Sequence, residues 1–587
     1  MVILGINDGH NSGCAIFVNG KNKCTLSEEK ITRKKNEYGF PAFSIKEALK
    51  FCKLKKNQID FVAVSTKFLP PKYFFVKRNT NFTIDDYLKE QNEYWYPKLY
   101  KNKKIKYLSI FKNKILKKNL YNKKFIKNED DVLGMQNARR DLISKSLNIS
   151  EKKIYFYDHH MCHAYYGYFG SNLSQKKKVA IVTADGGGDN CNASIWIAKN
   201  NKIKNVYKTN IGNIGRIYRY FTLFLGMKPT EHEFKVMGMA GYGSTNTDYY
   251  KAPLKILTDT LNIKNTKFYY KKKIKDHFFY FKNKLSHYRF DTLSFVVQKF
   301  TEDLLSKWFL NISKKYIVND FVFSGGVAQN IKATKKILEH KTINSIFIPP
   351  GPGDESVSIG ACYVMLHNHK IEKKDIQNIS NPYVGKEFKK NELSFIFKDK
   401  KLKIEKTNSK KLAKILSNGN VIARYSSDKF EFGPRALGNR SIIADPRNQD
   451  TINVINKKIK VRDFWMPFAP SILEEDFNKY IINPKKQKPY FMTMSFDTTS
   501  IGKKKLSAAC HPFDKTARPQ LVSKKYNLNY YKLIKEFKKI TGLGAILNTS
   551  FNLHGEPIVY SPADAIKTFK NSGLEYLNID NFLIQKI

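Results

Sequence analysis

The sequence lacks long apolar runs and paired cysteines. No stretch reaches the roughly 18 uninterrupted apolar residues of a membrane span, and the opening MVILGINDGHNSG lacks the basic, apolar and small-residue order of a signal peptide. The seven cysteines are scattered and form no CxxC pair. This pattern argues against a disulfide scaffold or a thiolate zinc site. We therefore expect a cytoplasmic protein without a membrane span.

Arginine is also scarce, and its distribution is uneven. The 587 residues include 104 Lys and Arg against 51 Asp and Glu, which gives a formal net charge of +53. Only 13 of these basic residues are arginines, and six of the 13 lie between positions 424 and 518. The lysines are spread throughout, so we interpret them as a solvated coat and expect no nucleic acid partner. The local arginines predict an anionic ligand, because their planar fork fits phosphate or carboxylate.

Strand-like and helix-like segments alternate along the chain, which predicts an α/β protein of two domains. Two hairpins, at residues 3–18 and 179–198, share the order strand, acidic residue, Gly-rich turn, strand. Such a repeat suggests an internal duplication of the actin-like (ASKHA) kind. We place a surface insertion at residues 66–130, a linker at 366–395, and a second α/β domain from about residue 396.

Histidines and carboxylates suggest a metal site. His159 and His163 are four apart in a helix-like segment, so they project from one face and can share a cation. Asp185 ends a strand at a glycine turn, and Asp354 precedes a helix. Two imidazoles and two carboxylates suit Fe²⁺, Zn²⁺ or Mn²⁺. His160 is a less well aligned candidate, and a purely structural histidine pair remains an alternative.

Two other segments have the composition of phosphate sites. The turn at Ser324–Gly325–Gly326 lies between a strand and a helix, where backbone N–H groups can reach a phosphate. In the C-terminal third, arginines, hydroxyls and amides occur within Gly and Pro turns, which favours a phosphate or nucleotide pocket. A solvated basic surface is the alternative for this segment.

Nine motifs in order resemble the O-carbamoyltransferase family of nodulation and antibiotic-tailoring enzymes (the NodU/CmcH type). They include DHHMCHA, VTADGGG, FSGGVAQN, PGPGDESVSIGA, EFGPRALGNRSIIADPR, KTARPQLV and LNTSFNLHGEPIV, and they cover nearly the whole chain. Met466 stands where many family members carry an arginine.

The resemblance implies an actin-like carbamoyl-transfer domain over residues 1–365 and a YrdC-like domain over 396–587. In the family, the second domain makes carbamoyl adenylate from carbamoyl phosphate and ATP, with Mg²⁺ as a possible companion of ATP. The first domain then transfers the carbamoyl group to a hydroxyl. The resemblance implies metal ligation, with Fe²⁺ the expected ion, by His159, His163, Asp185 and Asp354.

The resemblance also assigns two substrate sites. Nucleotide contacts at the transfer site map onto Gly186, Gly187, Gly188, Ser324, Gly325, Gly326, Gln329 and Asn330. The adenylate-forming site maps onto Arg435, Arg440, Lys460, Arg462, Arg518, Asn548, Thr549 and Ser550. Our candidates for the base near the acceptor hydroxyl are Asp8 and His10, and we expect Lys235 to contact the acceptor.

The acceptor is expected to be a small molecule or saccharide, such as a sugar of a bacterial glycan or secondary metabolite. Two alternatives stay open. One is a tRNA-modifying enzyme that uses carbamoyl adenylate, and the other is a non-enzymatic actin-like nucleotide-binding module. The sequence leaves the oligomeric state open as well.

Overall fold

The computed structural model describes residues 1–175, 178–200, 202–243, 245, 248–370, 376–379, 381–389, 392, 394 and 399–587. The chain divides into two compact units. Unit 1 comprises 1–32 and 36–380, and unit 2 comprises 33–35 and 381–587. The linker at 366–395 stays a prediction, since its residues 371–375, 380, 390–391, 393 and 395 lie outside the described part of the chain.

Unit 1 contains two five-stranded sheets and a small two-stranded ribbon. Its strands, numbered in chain order, are β1 (Val2–Asn7), β2 (Gly13–Val18), β3 (Lys21–Ser27), β4 (Phe61–Ser65), β5 (Ile154–Tyr157), β6 (Lys178–Gly188), β7 (Cys191–Lys199), β8 (Lys202–Thr209), β9 (Leu261–Lys264), β10 (Lys267–Tyr270), β11 (Asp320–Ser324) and β12 (Ser345–Phe347).

The two larger sheets have the same topology. Their orders are β3-β2-β1-β4-β5 and β12-β11-β6-β7-β8. In each sheet the first three strands form an antiparallel meander, and the remaining two add in parallel beside its first strand. This repeat confirms the predicted duplication and the actin-like α/β architecture of unit 1.

Unit 1 also contains α-helices, and several of them pack against these sheets. They are α1 (Glu28–Thr32), α2 (Ala42–Phe51), α3 (Pro71–Phe75), α4 (Arg78–Asn81), α5 (Ile84–Lys89), α6 (Tyr96–Tyr100), α7 (Tyr107–Ile110), α8 (Val132–Leu147), α9 (His159–Phe169), α10 (Ile214–Phe224), α11 (Glu233–Met239), α12 (Lys251–Thr260), α13 (Phe278–Leu285), α14 (Phe290–Tyr316), α15 (Ile331–Leu338) and α16 (Val357–Asn368).

Helices α9 and α16 form the centre of unit 1. They contact each other, and α9 packs on β6 and β11 while α16 packs on β1 and β4. Because these strands are covered by helices, they are almost continuously buried, as in Val2–Asn7. A Cβ added at Gly360 of α16 would lie 2.0 Å from the carbonyl oxygen of Cys162 in α9. A glycine is therefore required where the two helices approach.

The predicted insertion at residues 66–130 contains short helices α3 to α7 and an aromatic core. Buried members of that core from the insertion are Val76, Phe82, Tyr87, Tyr94, Tyr107 and Phe111. Leu223, Phe278 and Phe279 from later in unit 1 complete the cluster. The insertion is thus packed onto unit 1 by hydrophobic contacts.

Unit 2 is built on one mixed eight-stranded sheet of order β13-β20-β19-β14-β15-β18-β16-β17. The strands are β13 (Leu402–Lys406), β14 (Ile422–Tyr425), β15 (Arg440–Ala444), β16 (Ala469–Leu473), β17 (Gln520–Val522), β18 (Ala545–Ser550), β19 (Tyr576–Ile579) and β20 (Phe582–Lys586). The helices are α17 (Ser409–Ser417), α18 (Asp450–Ile455), α19 (Phe477–Tyr480), α20 (Ser500–Lys505), α21 (Leu528–Thr541) and α22 (Pro562–Lys570).

The mixed α/β class holds for both units, whereas the YrdC-like assignment of unit 2 stays a prediction. Among the described helices, none combines the length and the apolar character that crossing a membrane would require.

Candidate metal centre and anion site

The four predicted metal ligands meet in unit 1. One ligand atom from each of His159, His163, Asp185 and Asp354 lies within 4.8 Å of the other three. The two imidazole Nε2 atoms are 3.1 Å apart, and each is 3.4 Å from Oδ1 of Asp354. Nε2 of His163 is 3.5 Å from Oδ2 of Asp185. Two nitrogens and two carboxylates converging in this way fit a borderline divalent ion such as Fe²⁺, Zn²⁺ or Mn²⁺.

Neighbouring groups orient the ligands. Nδ1 of His159 lies 2.8 Å from the hydroxyl of Thr66, which can hold the proton on that nitrogen and leave the Nε2 lone pair for a metal. Oδ2 of Asp185 accepts from the backbone N–H of Gly326 at 2.5 Å. His160 points elsewhere: its Nδ1 bonds Thr183 at 2.7 Å, so the structure leaves this candidate outside the ligand set.

The start of α9 explains how both histidines reach the centre. Asp158 caps the helix by accepting from the N–H of Met161 at 2.9 Å. Asp189 accepts from the N–H of His159 at 2.8 Å and also from two N–H groups of residues 67–68. A Cβ at Gly188 would lie 2.5 Å from the His159 ring. The glycine turn after β6 therefore leaves room for this imidazole.

Charge in the centre is balanced between the imidazoles and the carboxylates. Burial lowers the pKa of His159, but the carboxylates of Asp354 and Asp185 outweigh that effect and raise the pKa to about 9. Burial raises the pKa of Asp354, but His159 and His163 outweigh it and hold the pKa well below its usual range. The carboxylates thus favour positive charge in the centre, either as a proton on His159 or as a bound divalent ion.

The three predicted acceptor-site residues occupy different environments. Asp8 is buried, and both of its carboxylate oxygens accept from the guanidinium of Arg139, at 2.6 and 2.8 Å. This bidentate pair favours a structural role for Asp8 over that of a base. His10 is half-buried in the turn after β1, with Nδ1 3.0 Å from Nδ2 of Asn79. Lys235 lies on α11, a helix that carries none of the four predicted metal ligands.

The predicted nucleotide turns flank the metal ligands. Gly186 to Gly188 end β6 directly after Asp185, and Gly187 has a φ of +140°. Gly325 has a φ of +95°, and its N–H donates to the carbonyl of Pro352 at 2.8 Å. A Cβ at Gly325 would lie 2.3 Å from the carbonyl oxygen of Ala184. These glycines therefore allow the turns after β6 and β11 to approach each other.

The remaining transfer-site candidates are held near these turns. Ser324 is buried at the end of β11. The side chain of Gln329 lies close to Gly353, because a Cβ added at Gly353 would be 2.9 Å from its Nε2. Asn330 caps α15 by accepting from Ala333 N–H at 3.0 Å. Its amide also forms reciprocal 2.9 Å hydrogen bonds with Gln298, so Asn330 has a structural role as well.

A cluster of cations lies in unit 2. Nζ of Lys460 donates to Oγ of Ser550 at 3.1 Å and to Oδ1 of Asn552 at 2.7 Å. Nη2 of Arg462 donates to Oγ1 of Thr549 at 3.1 Å. Lys460 is only 2% exposed, and these acceptors are neutral. Burying a cation among neutral partners costs desolvation free energy, which an anionic ligand would offset.

Electrostatic effects connect this cluster to two further arginines. Burial, together with the neighbouring Arg435 and Arg462, holds the pKa of Arg518 well below its usual range. Burial and Arg435 lower the pKa of Arg462 to about 10. Nε of Arg518 is buried and has no hydrogen-bond partner among the described residues. The structure therefore brings Arg435, Lys460, Arg462 and Arg518 within electrostatic reach of one another, as a candidate anion site.

Two other predicted adenylation residues are located in the sheet. Arg440 is fully buried on β15, with its guanidinium 4.0 Å from the ring centroid of Tyr425. Asn548 on β18 donates to the carbonyl of Ala436 at 3.1 Å and to Ser471 at 3.0 Å. These contacts support the fold around the candidate anion site, although Oδ1 of Asn548 is buried with no hydrogen-bond partner in the described part of the chain.

Sequence reasoning missed several residues that position the sites. Thr66, Asn79 and Arg139 contact His159, His10 and Asp8, respectively. Glu431 is buried and accepts from the N–H groups of three residues in the turn that carries Arg435: Leu437, Asn439 and Arg440. Of these four residues, only Glu431 could have been found from the sequence, because it lies within the motif EFGPRALGNR. The other three are distant in sequence from their partners.

Fold and site together define a two-unit α/β protein with a candidate metal centre in one unit and a candidate anion site in the other. Family models described as carbamoyltransferase N-terminus and carbamoyltransferase C-terminus match residues 2–363 and 413–586. The chain therefore belongs to the carbamoyltransferase family and is a carbamoyltransferase, which confirms the resemblance found in the sequence.

Relatives match over most of the chain. An uncharacterized protein of Methanocaldococcus jannaschii is 32% identical, with 100% of both chains covered. Nodulation protein NolNO of Sinorhizobium fredii is 26% identical, covering 98% of this chain and 79% of its own. Nodulation protein NolO of Bradyrhizobium diazoefficiens is 30% identical, covering 73% and 79%.

Solved structures match more weakly. The activator of the 2-hydroxyisocaproyl-CoA dehydratase from Clostridium difficile has a TM-score of 0.29 and 12% identity, covering 65% of this chain and 100% of its own. A ROK family protein from Streptococcus pneumoniae has a TM-score of 0.30 and 11% identity, covering 63% and 99%. These scores are too low to add to the sheet topology described above.

Proposed function

We propose that the protein is an O-carbamoyltransferase that uses ATP and carbamoyl phosphate. The observation that carries the proposal is the cation cluster in unit 2. Lys460, Arg462 and Arg518 are desolvated beside one another and Arg435, which is unfavourable unless polyanions bind there. Carbamoyl phosphate and ATP are such polyanions. Water first hydrolyses carbamoyl phosphate to carbamate and phosphate. A carbamate oxygen then bonds to the α-phosphorus of ATP, the bond from that phosphorus to the β-phosphate oxygen breaks, and pyrophosphate leaves.

Transfer of the carbamoyl group is assigned to unit 1. The acceptor hydroxyl oxygen forms a bond to the carbamoyl carbon, and the bond from that carbon to the phosphate oxygen of AMP breaks. AMP leaves with the electron pair, and the hydroxyl gives up its proton. A divalent ion bound by the two histidines and two aspartates would polarise the carbonyl or acidify the hydroxyl. The glycine turns after β6 and β11 are proposed to contact the nucleotide.

The acceptor is proposed to be a small molecule, in particular a sugar of a glycan or secondary metabolite. Relatives named as nodulation proteins support this class. Radiolabelled carbamoyl phosphate can be offered with ATP to a panel of nucleotide sugars and, separately, to tRNA. We expect the label on a sugar. Label on tRNA alone would instead identify a tRNA-modifying enzyme.

The adenylation step has its own test. Pyrophosphate release should depend on carbamoyl phosphate, and Arg435→Ala should lower its rate by about 100-fold or more, as loss of a transition-state donor does. Arg447→Ala is the matched control, because the guanidinium of Arg447 is paired with Asp445 at 2.6 Å. We expect Arg447→Ala to retain the activity. Pyrophosphate release without carbamoyl phosphate would contradict the proposal.

A further inference from the structure

The insertion places an amide against the candidate base of the transfer site. Asn79, on α4 of the insertion, is buried, and its Nδ2 lies 3.0 Å from Nδ1 of His10. An amide nitrogen can only donate a hydrogen bond, whereas an imidazole nitrogen donates or accepts according to its tautomer. The direction of the Asn79 amide therefore decides which nitrogen of neutral His10 carries the proton.

Two donors fix the direction of that amide. Oδ1 of Asn79 accepts from the hydroxyl of Tyr87 at 3.2 Å and from Nη1 of Arg78 at 3.3 Å. A guanidinium has no acceptor, so the amide oxygen and not its NH₂ group must face Arg78. Arg78 is itself held by Glu90, which is fully buried and accepts from its Nη2 at 2.8 Å. The NH₂ group of Asn79 is consequently left to donate to His10.

This arrangement makes Nδ1 of His10 an acceptor, so the proton of the neutral ring is on Nε2. The turn that carries His10 is tied to the metal centre, because Nδ2 of Asn7 donates to the carbonyls of His10 at 2.8 Å and Asp354 at 2.9 Å. Burial lowers the pKa of His10, while Asp354 and Asp185 act to raise it, so His10 is within electrostatic reach of both ligands. The ring is then a neutral donor on a turn that Asn7 connects to the segment carrying Asp354.

We propose that Asn79 is a positioning residue that fixes His10 as a hydrogen-bond donor through Nε2–H, and that His10 stabilises the carbamoyl carbonyl oxygen during transfer instead of acting as the base. The inference rests on the proposed carbamoyl transfer. As the acceptor oxygen adds to the carbonyl carbon, the carbonyl oxygen gains negative charge and receives the Nε2–H bond. When the carbon–oxygen bond to AMP breaks, the hydroxyl proton passes to the departing phosphate.

The tautomer can be measured without any substrate. In zinc-loaded full-length protein labelled with ¹⁵N-histidine, the His10 signals are assigned by their loss in His10→Gln. We expect wild-type His10 to have a protonated Nε2 and an unprotonated Nδ1. In Asn79→Asp the carboxylate accepts from Nδ1, so Nδ1 should become protonated. Asn81→Asp is the matched control on the same short helix, since Nδ2 of Asn81 donates to the carbonyl of Val76, and the His10 signals should not change.

Kinetics separates a donor from a base. The amide nitrogen of Gln reaches the position of imidazole Nε2, and that of Asn reaches the position of Nδ1; neither can accept a proton as a base. With the nucleotide sugar that accepts label in the assay above, His10→Gln should keep transfer within about 10-fold of wild type, while His10→Asn should lose about 100-fold or more. Equal losses in both variants, or a protonated Nδ1 in the wild type, would overturn the inference. Failure to label any acceptor would contradict the proposed function, and the tautomer measurement would still decide the role of Asn79.

Discussion

At the residue scale, the anion site of unit 2 is expected to destabilise the fold when it is empty. Among the described residues, Lys460 donates hydrogen bonds to the neutral groups of Ser550 and Asn552, and burial together with Arg462 holds its pKa well below the usual range. The favourable contribution of such a residue comes from ligand binding and not from folding. A site built in this way exchanges some stability of the free protein for affinity toward polyanions.

The depressed pKa of Lys460 predicts a pH dependence of stability. Below the folded pKa the lysine is protonated in both states, so its effect is constant. Between that value and the unfolded pKa of about 10.4, the unfolded state binds more protons, so the free energy of unfolding rises with pH. The slope is at most about 1.4 kcal/mol per pH unit for one group. Lys460→Met should lack this rise in urea unfolding measured across the alkaline range.

A matched control for this series is Lys457→Met, which changes an exposed lysine of the same turn. It should show the wild-type slope. An alkaline rise that is equally steep in Lys460→Met would contradict the assignment. Carbamoyl phosphate or ATP at 100 times the wild-type dissociation constant should stabilise the wild type by about 2.7 kcal/mol and Lys460→Met by less.

At the element scale, the metal centre depends on how α9 and α16 pack. α9 carries both histidines, and α16 follows directly after the turn with Asp354. The approach of the two helices at Gly360 and Cys162 sets the distance between these ligands. Thr66, which directly follows β4 and has a φ of +66°, hydrogen-bonds His159 and so connects the end of β4 to α9.

Gly360→Ala tests this packing. The added methyl group would lie 2.0 Å from the carbonyl oxygen of Cys162, so α9 and α16 must separate. We expect the free energy of unfolding to fall by about 1–3 kcal/mol, as for other overpacked cores. Metal affinity, measured by competition with a chelating dye, should fall as well. Gly186→Ala is the control, and it should leave the free energy of unfolding nearly unchanged because the space around Gly186 is open. If Gly360→Ala leaves the metal affinity unchanged, the spacing of the two helices does not set the ligand geometry.

At the scale of the whole molecule, the net charge of +53 and the anion site are separate features. The charge comes from lysines distributed along the chain, whereas the site is a local group of cations, of which Lys460 is buried and the three arginines are half-buried. Diffuse charge binds polyanions weakly and with strong salt dependence, since the binding is driven by release of counterions. A buried site instead recognises the shape and charge of one ligand.

This difference predicts the behaviour of Arg518→Met. Its affinity for tRNA, measured by filter binding from low to physiological salt, should equal that of the wild type and fall linearly on logarithmic axes. Its carbamoyl phosphate-dependent release of pyrophosphate should be lost. Loss of tRNA affinity in parallel with pyrophosphate release would indicate instead that the cluster is part of a nucleic acid surface.

The sequence by itself determined the elements and most of the chemistry. Hydrophobic strands followed by acidic residues and glycine turns predicted the duplicated hairpins, because such local patterns reflect backbone requirements that neighbouring residues satisfy. The helical spacing of His159 and His163 likewise predicted their common face. The ordered motifs then identified the family. The resemblance to that family in turn predicted which arginines and which lysine form the candidate anion site.

Only the tertiary structure decided how distant residues are paired. Asp8 is 131 positions from Arg139, and His10 is 69 positions from Asn79, so no local period connects them. The bidentate bond to Arg139 uses both oxygens of Asp8, which changes our interpretation of that candidate base. The amide of Asn79 likewise sets the proton of His10. The direction of a hydrogen bond depends on contacts between residues that are distant in the chain. For this reason the sequence predicted the residues of the candidate site but not their protonation states or their hydrogen-bond partners.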